Sequence, residues 1–384
     1  MLCFEFTEEQ KLMVRNLRNY AREELLPNYA CWDRSEQFPA GPWRRMAELG
    51  LTGLRVPKEC GGLEADSVTT GLAAEEIARG DVNCAYAVLV PCIMGELLGS
   101  FSNPPVFKNW LVEMVKGEKI IALALTEPHC GSDASAIRAR AVRDDDFYIL
   151  QGEKSAISVG MAADAMIVFA KTDPHLGARG VSVFLVPMDL EGITRQSYQD
   201  LGSKAIKRCS VFLDEVRVPA ENLIGSEGKG FYQAMRSFDL TRVIIALMAI
   251  GAAEQTLEET VEYIKNRVAF GKPIARFEGV SFPVVEQATM LEAARLLCYK
   301  ALWLRDKGLP HTKEAAMAKW LGPKLAVDAI RTCLLLHGHY GYTQEFPVEQ
   351  RLRDVMGLQI ADGTAQIQKI VISREIIGRD YMPY

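Results

Sequence analysis

No two cysteines in this chain are spaced C-x-x-C. The nine that occur (Cys3, Cys31, Cys60, Cys84, Cys92, Cys130, Cys209, Cys298 and Cys333) stand singly. Such a set excludes a disulfide scaffold and reads as the reduced thiols of a cytoplasmic protein. Histidine is scarce, with five residues, and no H-E-x-x-H or mixed Cys/His spacing suggests a metal site. His337 and His339, two apart, fall on different faces of a helix but on one face of a strand. A charge excess of one sign is also missing: Lys+Arg 44 against Asp+Glu 49 leaves −5. That balance argues against a general nucleic-acid binder. The longest apolar run, residues 243–253, is shorter than the roughly 20 residues of a membrane span. The start, MLCFEFTEEQ, has no basic segment followed by an apolar one, so no secretory signal is expected. Neither G-x-G-x-x-G nor a P-loop occurs. Gly225, Gly228 and Gly230 in IGSEGKGF lie outside any βαβ alternation, so a Rossmann nucleotide site is not expected.

What is present is an ordinary soluble composition over 384 residues, 49% hydrophobic and 24% charged. At roughly 150 residues per domain this predicts two or three domains. Thr7 and Gln10 form a capping-box start, with Phe4 and Phe6 just ahead of it. Helical patterns continue at 43–49, 67–78 and 86–98, broken by Pro57, Gly61-Gly62, Gly80 and an Asn103-Pro104-Pro105 turn. Near Gly117 the character changes. Segments 119–125, 147–151, 165–171, 181–187 and 209–218 are short, rich in Ile, Val and Phe, and bounded by turn residues. From Gly230 the helical period returns over 231–266, 280–307, 312–338 and 363–381. The expected fold is α+β. An N-terminal helical domain (1–118) precedes a central antiparallel sheet or small barrel (119–229), and a C-terminal four-helix bundle follows (230–384).

Five segments then stand out: LTEPHCGSD at 125–133, VRVPAENLIG at 216–225, FDLTR at 238–242, NRVAFGKPI at 266–274, and PVEQRLRD running on to IADGTAQIQ across 347–368. In order and spacing, over essentially the whole chain, they resemble the acyl-CoA dehydrogenase family of flavoproteins. The resemblance implies a homotetrameric oxidoreductase with FAD, an acyl-CoA substrate and an electron-transferring flavoprotein as acceptor.

Residue by residue, the resemblance places Leu125, Thr126, Ile157 and Ser158 against the flavin ring. Thr126 also reads, less favoured, as a strand end. Where the family carries a tryptophan beside the flavin, this chain has Ala156, which leaves space that another aromatic or the substrate must fill. Arg267 and Phe270 match residues that reach FAD across a subunit boundary; Arg267 also suits a helix C-terminus. Gly338, Thr364 and Gln366 match further FAD contacts, although Leu335 and His339 depart from the pattern around Gly338. Ser132, Asp239, Arg242, Ala361 and Gly363 match substrate contacts, and Asp239 with Arg242 also reads as a structural pair three residues apart.

The base is the most informative position. The family's commonest glutamate, in Tyr-Glu-Gly-Thr, is here Asp362 in Ala361-Asp362-Gly363-Thr364, a carboxylate shorter by one methylene. A second branch places its glutamate where Thr241 stands. Asp362 as general base is therefore expected, against a turn or N-cap role that Asp-Gly-Thr also permits. Ala156, Ala361 and Asp362 all remove bulk around the acyl pocket, which predicts a branched or alicyclic acyl group such as cyclohexanecarboxyl-CoA. Relatives acting on such rings can use a second aspartate from the helix at 86–98, but Glu96 is the one acid there. Alternatives are a short linear or methyl-branched substrate, an oxidase or acyl-carrier-protein dehydrogenase, and a DNA-binding flavoprotein on the same fold.

Overall fold

The computed structural model describes residues 5–101 and 105–382. Cys3, Phe4, the Asn103-Pro104 part of the expected turn and Tyr384 lie outside them. The chain opens with α1 (Glu8–Tyr20), and the expected capping box is formed. The Gln10 N–H donates to Thr7 Oγ1 at 3.2 Å, and the Thr7 N–H to Gln10 Oε1 at 3.0 Å. Next come α2 (Tyr29–Ser35), α3 (Ala40–Glu48), α4 (Ser67–Gly80), α5 (Tyr86–Phe101) and α6 (Pro105–Val115).

The central sheet is built from β1 (Ile121–Ala124), β2 (Arg140–Asp144), β3 (Phe147–Ile157), β4 (Ala165–Lys171), β5 (Val181–Pro187), β6 (Ile193–Ser197) and β7 (Cys209–Pro219). It is not wholly antiparallel as expected. β1 pairs with β4 in parallel, Ile121 opposite Ala165, and β2 meets β4 through a parallel bridge at Arg140 and Lys171. The hairpin of β2 and β3 lies between β1 and β4 in sequence, and a connection that long can return the chain in the same direction. The other pairings, β2–β3, β3–β7, β4–β5 and β6–β7, are antiparallel. β2 and β6 escaped sequence reading because most of their residues are polar or charged, three of five in β2 and four of five in β6. They are exposed strands with no apolar alternation to see.

Beyond the sheet, α7 (Gly230–Asn266) leads into a hairpin of β8 (Val268–Ala269) and β9 (Lys272–Pro273). It is followed by α8 (Glu278–Asp306), α9 (Thr312–Leu336), α10 (Val348–Leu358) and α11 (Ala365–Ile376). Among the described residues α7 is the one helix long and apolar enough to cross a membrane, and 89% of that stretch is buried inside the protein. A helix surrounded by α4, α8 and α9 is apolar on every side for that reason. Gly322 lets α9 approach α7 closely, since a Cβ there would stand 2.7 Å from that of Ala246. α10 holds the PVEQRLRD motif but was not expected as a helix. Its Arg351 is buried against Glu259, with bonds of 2.6 and 2.9 Å, so a charge occupies an inward position.

Candidate active site

Two clusters, one on the sheet and one on the helical bundle, hold most of the residues singled out in the sequence. In the first, the turn after β1 is pinned to the end of β3. Lys154, wholly buried, donates from Nζ to the Leu125 carbonyl at 3.1 Å and to Glu127 Oε1 at 2.7 Å. Glu127 also accepts the N–H groups of Arg138 (2.6 Å) and Ala139 (3.0 Å), and the Ser155 N–H donates to the Thr126 carbonyl at 2.9 Å. Burial pushes the Glu127 carboxyl up, but the Lys154 charge and these hydrogen bonds outweigh it and hold it below its usual range. This places Leu125 and the half-buried Thr126 against the strand that carries Ile157 and Ser158. Ala156 is exposed and left-handed at φ 57, and its N–H donates to the Tyr198 hydroxyl at 3.3 Å. Glu127, His129 and Cys130 bring potential metal-ligand atoms within 4.8 Å of one another, but Lys154 and the two N–H groups already occupy both Glu127 oxygens.

The second cluster surrounds Asp362. The loop between α10 and α11 holds Asp362 and Gly363 at positive φ, 51 and 94. A Cβ at Gly363 would stand 2.6 Å from Gln368 Nε2, so glycine is required there on both counts. The N-cap of α11 is Thr364, which leaves Asp362 outside the capping role. Thr241, on α7, donates from its hydroxyl to Asp362 Oδ2 at 2.8 Å. The Asp362 N–H has no acceptor among the described residues. Gln368 Nε2 donates to the carbonyls of Asp362 (3.2 Å) and Gly363 (3.0 Å). Lys319, from α9 and 1% exposed, donates to those of Leu358 (2.9 Å) and Gly363 (3.3 Å). Burial pulls the Lys319 ammonium down to about 8, against the opposing pull of the Asp362 carboxylate. Arg242 pairs with Asp239 at 2.7 Å, as the spacing suggested. Its buried Nε has no partner, and neither does the buried Oε1 of Gln368. Unpartnered polar atoms beside a carboxylate are what a site for a polar ligand leaves when only protein is present.

Tyr86 joins the two clusters. It is buried at the start of α5, where its hydroxyl meets Ser158 and Arg208 and feels the charge of Asp362. Burial raises its pKa, which the nearby arginine opposes. Arg208 is in turn paired with Asp200 at 2.5 Å. Glu96, the acid weighed as a second carboxylate, is bound by Arg55 (2.7 Å) and Arg305 (2.6 Å).

Other residues singled out in the sequence stand apart. Ser132 and Gln366 are exposed. Arg267 caps the C-terminus of α7, its N–H donating to Tyr263 at 2.8 Å, and its side chain is exposed. Phe270, at the tip of the β8–β9 hairpin, is 94% exposed. Gly338, at φ 61, follows the end of α9 beside the buried His337, which stacks on Tyr263 at 4.2 Å. No hydrogen bond or ring contact among the described residues ties the hairpin to Asp362 or Ser158.

Comparison with known proteins decides the family. Residues 7–118, 122–216 and 228–377 match the N-terminal, middle and C-terminal domains of acyl-CoA dehydrogenases. The chain belongs to the acyl-CoA dehydrogenase family. It is 38% identical to an acyl-CoA dehydrogenase of Bacillus subtilis (strain 168), over 97% of this chain and 99% of that one. It is 35% identical to the short-chain specific acyl-CoA dehydrogenase of Clostridium acetobutylicum, over 97% and 99%. The structure of butyryl-CoA dehydrogenase from Megasphaera elsdenii superposes with a TM-score of 0.94 at 33% identity, covering 98% of this chain and all (100%) of that one. As an acyl-CoA dehydrogenase the protein is an oxidoreductase acting on a CH–CH group, with the helical, sheet and helical parts of that fold.

Lys319, Tyr86, Arg208 and Tyr198 were not singled out in the sequence. A lysine within an alanine-rich apolar stripe (AAMAKWLG) is the one signal that could have marked Lys319, because a cation at an inward position must find acceptors.

Proposed function

We propose that this acyl-CoA dehydrogenase desaturates a short acyl-CoA thioester between Cα and Cβ, with Asp362 as the base. The observation that carries this reading is the Asp362 loop: a carboxylate held by Thr241, an uncommitted N–H on the same residue, and unpartnered polar atoms on Arg242 and Gln368 around it. Asp362 takes the α-proton. Its N–H donates to the thioester carbonyl oxygen, which stabilises the enolate that develops. Ser132, Asp239 and Arg242 hold the CoA side.

FAD fits the residues of the sheet cluster. Leu125, Thr126, Ile157 and Ser158 offer backbone groups and two hydroxyls beside the exposed face at Ala156, and Thr364, Gln366 and Gly338 are the further contacts. The chemistry that bound FAD supplies is acceptance of the β-hydride. Arg267 and Phe270 are exposed on a hairpin beyond their own site, which suits a pyrophosphate and adenine bound to a second subunit. Exposed apolar residues on α8, Phe282 and Val285 (both 58%), support the homotetramer this requires. An electron-transferring flavoprotein is the proposed acceptor and the cytoplasm the proposed location.

The relatives named for short-chain and butyryl substrates favour a short linear acyl group. The ring expected from Ala156, Ala361 and Asp362 has no support among them, and Tyr198 stands beside Ala156 where space was expected. Comparing kcat/KM for butyryl-, isobutyryl-, octanoyl- and cyclohexanecarboxyl-CoA tests the substrate. Butyryl-CoA is expected to lead; a clear preference for the ring thioester would overturn the short linear assignment.

A further inference from the structure

We propose that Lys319 is a positioning residue for the base, its buried ammonium clamping the carbonyls of Leu358 and Gly363 so that the loop presents the Asp362 carboxylate and N–H in one fixed place. This rests on the reading of Asp362 as the base. The two carbonyls bracket residues 359–362, Asp362 included, in the segment between α10 and α11, at 2.9 and 3.3 Å from Nζ. Leu358 ends α10, so its carbonyl has no partner within that helix. Gly363 O receives a second donor from Gln368, whereas the side-chain donor on Leu358 O comes from Lys319.

A neutral donor would satisfy those carbonyls without the penalty of burying a charge. The charge has a counterpart, which argues that it does more than cap a helix. Arg242, facing Lys319 from α7, is already paired with Asp239, and Arg208 is paired with Asp200. Tyr86, from α5, contributes a neutral hydroxyl, and Gln368, from α11, an uncharged amide. What remains is one cation, Lys319, and one anion, Asp362, whose charge favours the protonated form of Lys319. The fold thus holds the base's loop from two sides, a hydroxyl from α7 on the Asp362 carboxylate and an ammonium from α9 on the carbonyls of Leu358 and Gly363.

The test uses the FAD-loaded enzyme with butyryl-CoA and the variants Lys319→Met, Lys319→Arg and Asp362→Asn. For Lys319→Met the expected result is a fall in kcat of roughly ten- to a hundredfold, because small misplacements of a reacting group carry penalties of that order. KM and flavin content stay close to wild type, and the protein stays folded with a lowered melting temperature because the Leu358 carbonyl loses its donor. The wild-type pH profile is expected to fall above about pH 8, where Lys319 loses its proton. Lys319→Arg, whose guanidinium stays charged, is expected to recover kcat and to carry activity to higher pH. Wild-type kcat and pH profile in Lys319→Met, with Asp362→Asn inactive, would overturn the positioning role alone. Turnover by Asp362→Asn would remove the base assignment beneath it.

Discussion

At the residue scale the decisive interaction is a single hydroxyl against a single carboxylate. Thr241 donates to Asp362 Oδ2 at 2.8 Å across 121 positions of sequence. By the resemblance Thr241 matches the place of a second branch's glutamate, and here its hydroxyl faces the proposed base. Removing the hydroxyl leaves the carboxylate less constrained at the cost of one charge-assisted bond. Thr241→Val is therefore expected to lower kcat/KM about tenfold with FAD content unchanged, in line with the energy of a hydrogen bond to a charged group. An unchanged kcat/KM in that variant would show that Thr241 does not hold the base. Asp362 could be singled out because a short motif, Asp-Gly-Thr ahead of a helix, sits in a recognisable frame. Lys319 was not, because its role depends on carbonyls 39 and 44 positions away. Nothing local to a lysine in a helix announces such acceptors.

Among the elements, the sheet and the bundle are organised by different means. The turn after β1 is held by a buried ion pair, Lys154 with Glu127, 0% and 2% exposed in their side chains. Breaking such a pair from one side strands the other charge, with a destabilisation of about 3–5 kcal/mol. Lys154→Met is expected to lower the melting temperature and loosen flavin binding together, and Lys154→Met with Glu127→Gln to recover most of the melting temperature. A single variant that melts like wild type would contradict the structural role given to the pair. The long helices were readable from sustained helical patterning, and α7, apolar on every side, from a length no strand reaches, whereas the short α10, with a charge at an inward position, was not. The strands β2 and β6 were not, since exposed polar strands leave no such pattern, and the parallel pairing of β1 with β4 is a property of the connection rather than of either segment.

Over the whole molecule, the three parts meet at a charged joint. Arg353 of α10 binds Asp33 of α2 at 2.7 Å and the Leu201 carbonyl at 3.1 Å, while Asp354 accepts the Ser203 N–H at 2.5 Å and Asn83 Nδ2 at 3.1 Å. The sheet and the bundle that flank the proposed site are thereby held in register with the N-terminal helices. The β8–β9 hairpin has the opposite character. Its Arg267 and Phe270 are exposed, and on the present account their ligand belongs to a neighbouring subunit. Arg267→Ala is expected to purify with depleted FAD and a weaker tetramer, read by absorbance and by sedimentation. Full flavin occupancy at low free FAD would leave Arg267 as the cap of α7 alone.

The central claim is that Asp362 removes the α-proton of a short acyl-CoA. Its most direct test is anaerobic mixing of FAD-loaded Asp362→Asn with butyryl-CoA, followed through the flavin absorbance. The account predicts a folded, yellow protein whose flavin fails to bleach, or bleaches at least about a hundredfold more slowly than wild type, as loss of a general base requires. Bleaching at the wild-type rate would contradict it.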